Sequence, residues 1–403
     1  MKEHEESTIP QATLEARRQF LKLSTMFTAA GALPLLQRHS SAMAAEPDAP
    51  LRIGYLPITD ATALLVAHHN KLFQEQGLEV EKPRLFRSWA QLVEAFISGQ
   101  VNAVHLLSPM TVWARYGSQS RAKVVAWNHM AGSSLTVLPE INGLRDLGGK
   151  TVAIPFWYSI HNVVLQHILR SEGIEGIGEG TPGPKQVRLV VMAPSDMLPA
   201  LASKQISGYI VAEPFNAAAE VLKVGKILRF TADVWKDHAC CVVLMHEDDL
   251  DKRPEWSQKV VNGIVQAQAW IQGHRQETAR ILSKENAHRY TPHTYEALAR
   301  VLAPAPRQNA EYVATGAIRH ADWNEKRIDF QPYPFPSYTE SLIKMLKATL
   351  VSGRNDFLQK LDPAFVARDL VDDRFVKKAI AGIGGMSAFG LPDTFTRKEI
   401  ITT

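Results

Sequence analysis

Side chains that could hold a small charged ligand recur at one kind of place in this chain, where an apolar run ends in a polar turn that opens a helical stripe. Thr59 and Asp60 follow the run Leu51 to Pro57, and Ser88 with Trp89 follow Leu78 to Phe86. Ser108, Pro109 and Met110 follow Val101 to Leu107, while Tyr158, Ser159 and His161 stand where Thr151 to Ile154 ends. Free backbone N–H groups and the positive end of a helix dipole point out of such junctions, so the chemistry they suggest is anion binding, assisted by Ser and Thr hydroxyls. Glu213 closes the run Gly208 to Ala212; a carboxylate there suits a ligand with a donor such as an amine, or a structural role at a hinge. Ser133, in the small polar turn Gly132-Ser133-Ser134, and Cys240 complete the candidate ligand-binding set.

Other chemistry is sparse. There is no nucleophile elbow, Walker loop, Gly-x-Gly-x-x-Gly or His-Glu-x-x-His pattern, so the chain is read as a binding protein and not an enzyme, with no metal or cofactor assigned. His68 and His69 fall on a helix surface, and His105 falls inside a strand as a core histidine. Asp237-His238-Ala239-Cys240-Cys241 holds the only two cysteines, which as neighbours cannot form an unstrained disulfide with each other. Three readings stand for them: small buried residues at a strand start, a soft-metal or redox site with His238, or direct lining of a cleft.

The elements that must position these groups alternate strand and helix, which implies βαβ units, a mostly parallel doubly wound sheet, and ligands outside the carboxyl ends of the strands. With 403 residues, 45% of them hydrophobic and 21% charged, the chain can build two lobes with real cores and is neither disordered nor fibrous. The balance of 45 Lys+Arg against 41 Asp+Glu contains no basic block, which argues against nucleic acid as a partner. Residues 51–133 and 240–340 are expected to form lobe 1 and residues 134–239 lobe 2, with 341–403 a helical extension packed on lobe 1. Cys241 to His246 reads as the strand that returns to lobe 1.

At the N-terminus, Arg17-Arg18-Gln19-Phe20-Leu21-Lys22 precedes an apolar run from Leu23 to Leu36 and an Ala42-Met43-Ala44 cleavage pattern. Residues 1–44 therefore read as a twin-arginine export signal, with a run too short to span a membrane, and the mature chain as a soluble periplasmic protein.

Six short motifs in order carry a resemblance over about residues 51 to 340. They are Ile53-Gly54-Tyr55-Leu56-Pro57 with Thr59-Asp60, Ser88-Trp89, Ser108-Pro109-Met110, Ser159-Ile160-His161-Asn162, Glu213-Pro214-Phe215-Asn216 and Val234-Trp235-Lys236-Asp237-His238. The set resembles the nitrate- and bicarbonate-binding proteins of bacterial ABC importers, within the wider group that binds sulfonates, taurine and thiamine pyrimidines. The resemblance implies a type II periplasmic binding protein fold, two α/β lobes closing on a ligand cleft, a small anion such as nitrate, bicarbonate, a sulfonate, taurine or a similar organic acid as ligand, and a membrane permease as partner of a monomeric protein. It places Trp89 and His161 where that group has its anion-contacting Trp and His. Two departures stand out: Ser133 replaces a usual Gln, and Ala239-Cys240-Cys241 replaces an expected Pro-Glu-Lys. An alternative within the same superfamily is a pyrimidine-synthesis-like enzyme, or a metal or redox protein, that uses Cys240 and Cys241.

Overall fold

Aliphatic runs flanked by helix starts set the order of elements, and a computed structural model describes residues 49–323 and 326–403 of the result. The export segment at residues 1–44 lies outside the described residues. Strand β1 (Ile53–Tyr55) leads through a 3-10 turn, Thr59–Ala61, to α1 (Thr62–His69). Next come β2 (Arg84–Leu85), α2 (Trp89–Ile97), β3 (Ala103–Leu107), α3 (Ser108–Val112) and β4 (Ala122–Trp127). The chain then crosses through β5 (Met130–Ala131) into β6 (Ser133–Val137), β7 (Thr151–Ile154), α4 (Ile160–Ser171), β8 (Glu175–Ile177) and β9 (Gln186–Val191). After α5 (Pro194–Ala202), β10 (Gly208–Ala212), α6 (Phe215–Val221) and β11 (Lys226–Phe230), it returns to β12 (Cys241–His246). A long helix α7 (Pro254–Gly273), the short β13 (Ile328–Asp329) and α8 (Pro336–Lys347) follow.

Two principal sheets result, ordered β2-β1-β3-β12-β4 and β11-β6-β10-β7-β9-β8, with β13 paired to β5. In the first, β1 is parallel to β2 and β3, and β12 runs antiparallel between β3 and β4 with Cys241 opposite Leu107. In the second, β7 is parallel to β9 and β10, and β6 runs antiparallel to β10 and β11. Both sheets contain strands buried along their whole length, such as β3 and β10, which suits strands covered on two faces.

Close backbone packing explains two glycines. A Cβ on Gly54 would stand 2.7 Å from Leu92 Cδ1, so glycine lets α2 lie directly on β1. Gly132 has φ +75° and a Cβ there would stand 2.8 Å from Ile328 Cδ1, so the outgoing crossover turns where other side chains are strained.

Several expected boundaries shift for local reasons. The strand expected from Leu78 to Phe86 shrinks to two paired residues beyond Pro83, which offers no N–H to a ladder; Val80 makes only an isolated bridge to Leu51. Ser108 is the first helical residue of α3 and not its cap, a position taken by extended Leu107. The helix expected to start at Thr339 begins at Pro336, with proline in the first turn where its missing N–H costs nothing.

The segment after α8 reaches both sheets. Asn162 and Gln166 of α4 donate to the Leu350 carbonyl at 3.0 Å each, and the Leu350 N–H donates back to Gln166 at 2.8 Å. On the first-sheet side, Arg115 pairs with Asp369 at 2.5 Å. The Thr402 N–H donates to the Val234 carbonyl at 2.8 Å on the returning crossover.

Candidate ligand site

Asp60 lies in the tight turn after β1, fully buried, where it meets three other parts of the chain. Its carbonyl accepts from the Asn128 side chain, which fixes the turn against the outgoing crossover. Its Oδ2 stands 3.1 Å from His129 Nε2, 3.3 Å from Cys240 Sγ and 3.1 Å from Cys241 Sγ, while Oδ1 has no hydrogen-bond partner among the described residues. Adjacent side chains on a regular strand point to opposite faces. Cys240 sits in a bend one residue before β12, and that bend lets both thiols reach the same carboxylate.

The second sheet's side meets this cluster through Ser133, at the start of β6, and His161. Ser133 Oγ and His161 Nε2 share a hydrogen bond of 2.9 Å, Ser133 Oγ donates to Cys240 Sγ at 3.8 Å, and His161 Nε2 is 3.7 Å from the same sulfur. His161 is held at the start of α4 because Ser159 caps that helix, accepting from the Asn162 N–H at 3.1 Å. Asp60, Ser133, His161 and Cys240 are thus in one contact network. Thr59 completes the span between sheets: its N–H and Oγ1 both donate to the Glu213 carbonyl at 3.0 Å.

The remaining candidates sit around this network. Trp89 packs its edge on His105 at 5.4 Å between ring centres, and His105 Nε2 accepts from the Leu56 N–H at 2.8 Å. Ser108 N–H donates to the Cys240 carbonyl at 2.9 Å and its hydroxyl bonds Tyr338 at 2.7 Å, while Pro109 and Met110 are buried in α3. Tyr158 stacks on Phe357 with ring centres 6.3 Å apart. Ser159 spends its hydroxyl on the helix cap and on the Phe156 carbonyl. The Glu213 carboxylate faces Arg327 at 2.5 Å and accepts the Ala217 N–H at 3.1 Å, so its bonds are structural ones.

Electrostatics at the centre follow from burial and crowding. Burial, then the neighbouring Cys240, pushes the Asp60 carboxyl up to about 6. Burial works against a charge on His129, yet the Asp60 carboxylate beside it outweighs that and holds the imidazole up at about 10. Cys240 is likewise opposed by burial but is held well below the ordinary thiol range by the Cys241 thiol and by His161 and His129, whereas burial and its neighbours push Cys241 up. His105 and His238 are driven by burial down to about 3 and about 4, so both are neutral.

Sequence reasoning missed His129 and Arg327. His129 directly follows an apolar strand, and Arg327 lies 114 positions from its partner Glu213. Cys241 was left out of the ligand-binding set and named with Cys240 in the metal or redox readings; the bend at Cys240 is what lets both thiols reach Asp60.

Two mixed α/β sheets, joined by two crossovers that bracket the candidate site, define a periplasmic binding protein architecture. The nitrate-binding protein NrtA from Synechocystis PCC 6803 superposes with a TM-score of 0.68 at 17% identity, covering 86% of this chain and 92% of that chain. The ligand-binding component of an ABC-type import system from Staphylococcus aureus, determined with zinc bound, gives a TM-score of 0.62 at 23% identity, covering 82% and 98%. At these identities the likeness is one of fold. The chain belongs to the NMT1-like family, whose profile matches residues 44–285. A nitrate/nitrite binding protein NrtA from Nostoc sp. is 25% identical over 256 residues, 58% of this chain and 56% of that protein. The chain thus spans about half the length of the curated relatives it matches.

Proposed function

We propose that this protein is a periplasmic solute-binding protein that closes two lobes, 51–133 with 240–340 and 134–239, around a small anion and delivers it to the permease of an ABC importer. The observation that carries the reading is a set of buried donors left without partners at helix starts on both lobes: Trp89 Nε1, Tyr158 Oη and His161 Nδ1. Buried polar groups are nearly always paired, and each unmade bond costs about 1–3 kcal/mol, so donors gathered at helix N-termini mark where a ligand acceptor belongs. Family membership and relatives named as nitrate- and sulfonate-binding proteins support the anion class and a non-enzymatic role. Among the described residues no helix is long and apolar enough to cross a membrane.

Calorimetric and thermal-shift titration with nitrate, bicarbonate, taurine, alkanesulfonates and aromatic carboxylates tests the reading. One of these anions is expected to bind and raise Tm, and His161→Ala is expected to weaken that binding by roughly tenfold or more, the loss of one charge-assisted bond of about 1.5–3 kcal/mol, with the free protein still folded by circular dichroism. A flat response to the whole panel would sink it.

A further inference from the structure

The centre of the site carries more negative charge than an anion seat needs. Asp60, Cys240 and Cys241 meet around a point with His129 as the fourth corner, all four fully buried, and their donor atoms lie within 4.8 Å of one another. Four donors around a zinc-sized ion stand roughly 3.2–3.8 Å apart, given bond lengths of about 2.0–2.3 Å. The separations from Asp60 Oδ2, at 3.1 Å to His129, 3.3 Å to Cys240 and 3.1 Å to Cys241, lie at or just below the short end of that range, so a small outward shift of the donors admits the ion.

Hydrogen bonding alone leaves the group poorly arranged. His129 Nε2 stands 3.3 Å from the Cys241 N–H and 3.1 Å from the Asp60 carboxylate. Asp60 Oδ1 and His129 Nδ1 meanwhile have no partner among the described residues. A cation between the donors engages the carboxylate, the imidazole and both sulfurs at once, and a pair of thiolates with an imidazole selects soft, tetrahedral ions over calcium or magnesium.

We infer that Asp60, His129, Cys240 and Cys241 bind one thiolate-preferring divalent metal ion of the zinc class. Binding takes both sulfurs as thiolates, the Asp60 carboxylate as its anion and His129 as a neutral imidazole, releases to solvent whatever protons these groups carry, and changes no oxidation state. Four protein ligands make a closed site, which is the structural type. The ion joins the turn after β1 to both crossovers, and Ser133 and His161 face it from the second sheet's side at Cys240. The inference does not depend on which solute the protein binds, or on whether it binds one.

Cobalt(II) titration of the full, chelator-treated chain is the test, because cobalt replaces zinc in tetrahedral thiolate sites and reports the sulfur ligands by a charge-transfer absorption. One cobalt per chain is expected, with that absorption present and abolished by added zinc(II). Cys240→Ser and Cys241→Ser should each lose most of the absorption and weaken cobalt binding by more than the roughly 10- to 100-fold that an outer-shell change costs. His69→Ala, which alters the separate surface group of His68, His69 and His288, should leave both intact. Should either cysteine variant fail to fold by circular dichroism, the wild-type spectrum decides alone. Cobalt bound without a thiolate absorption, or no stoichiometric cobalt at all, overturns the proposal. No anion enters the measurement, so its failure is separate from failure of the anion panel.

Discussion

Glu213 and Arg327 show how a side chain chosen for its position can prove to be occupied elsewhere. The pair is almost fully buried, Arg327 Nε donates to Glu213 Oε1 at 2.7 Å, and Arg327 Nη1 donates to the Tyr312 hydroxyl at 2.8 Å. Burial pushes the Glu213 carboxyl up and the guanidinium opposes that shift. Removing one partner strands a buried charge, so Arg327→Met should cost about 3–5 kcal/mol in urea unfolding, and adding Glu213→Gln should restore most of it. A single variant as stable as the parent would contradict this account. The candidate residues at strand ends, Asp60, Ser133, His161 and Cys240, were legible because each lies beside an apolar run, Cys240 just before one. Their partner His129 was not, because nothing local distinguishes it from a core histidine such as His105; only tertiary packing brings it to Asp60.

At the scale of elements, the helix starts were the most readable feature, since a Ser before an amphipathic stripe has a direct physical meaning. Ser88 and Ser159 both accept from the N–H three residues on, as capping requires. Ser108 does not cap its helix, because the neighbouring Pro109 fits the first turn and moves the boundary to Leu107. The return strand Cys241–His246 was read to the residue from its unbroken apolar run, whereas β2 was overestimated because an edge strand with a proline pairs over less length than its apolarity suggests. A close contact between elements is at Gly54, which faces Leu92, Val101 and Phe86 at 2.7, 3.1 and 3.2 Å from an added Cβ. Gly54→Ala should therefore destabilise by about 1–3 kcal/mol, measured as a lower denaturation midpoint, and a neutral result would mean α2 can slide on β1.

For the molecule as a whole, two buried histidines set an acid limit. His246, stacked on Phe96 at 4.0 Å, and His293, bonded to the Pro57 carbonyl at 2.9 Å, are both lowered by burial from 6.5 to about 4. A depressed imidazole keeps the fold stable above its unfolded pKa and withdraws that stability as pH falls toward the folded value. Stability should thus decline between about pH 6.5 and 4, by roughly 2 kcal/mol for each histidine at pH 5. Urea midpoints at pH 7 and pH 5 measure the loss, and His246→Gln should remove its share; an unchanged pH profile in that variant would refute the assignment.

The hydrogen bonds from Thr59 to the Glu213 carbonyl join the two sheets directly, one through the backbone amide. Any motion that parts the sheets breaks that amide bond and exposes a proton that is otherwise shielded, so the rate at which a single peptide containing Thr59 takes up deuterium is an intrinsic clock for opening. It needs no label and no knowledge of the ligand, and a solute or metal that holds the sheets together lowers the logarithm of that rate in proportion to the free energy with which it stabilises the shut form.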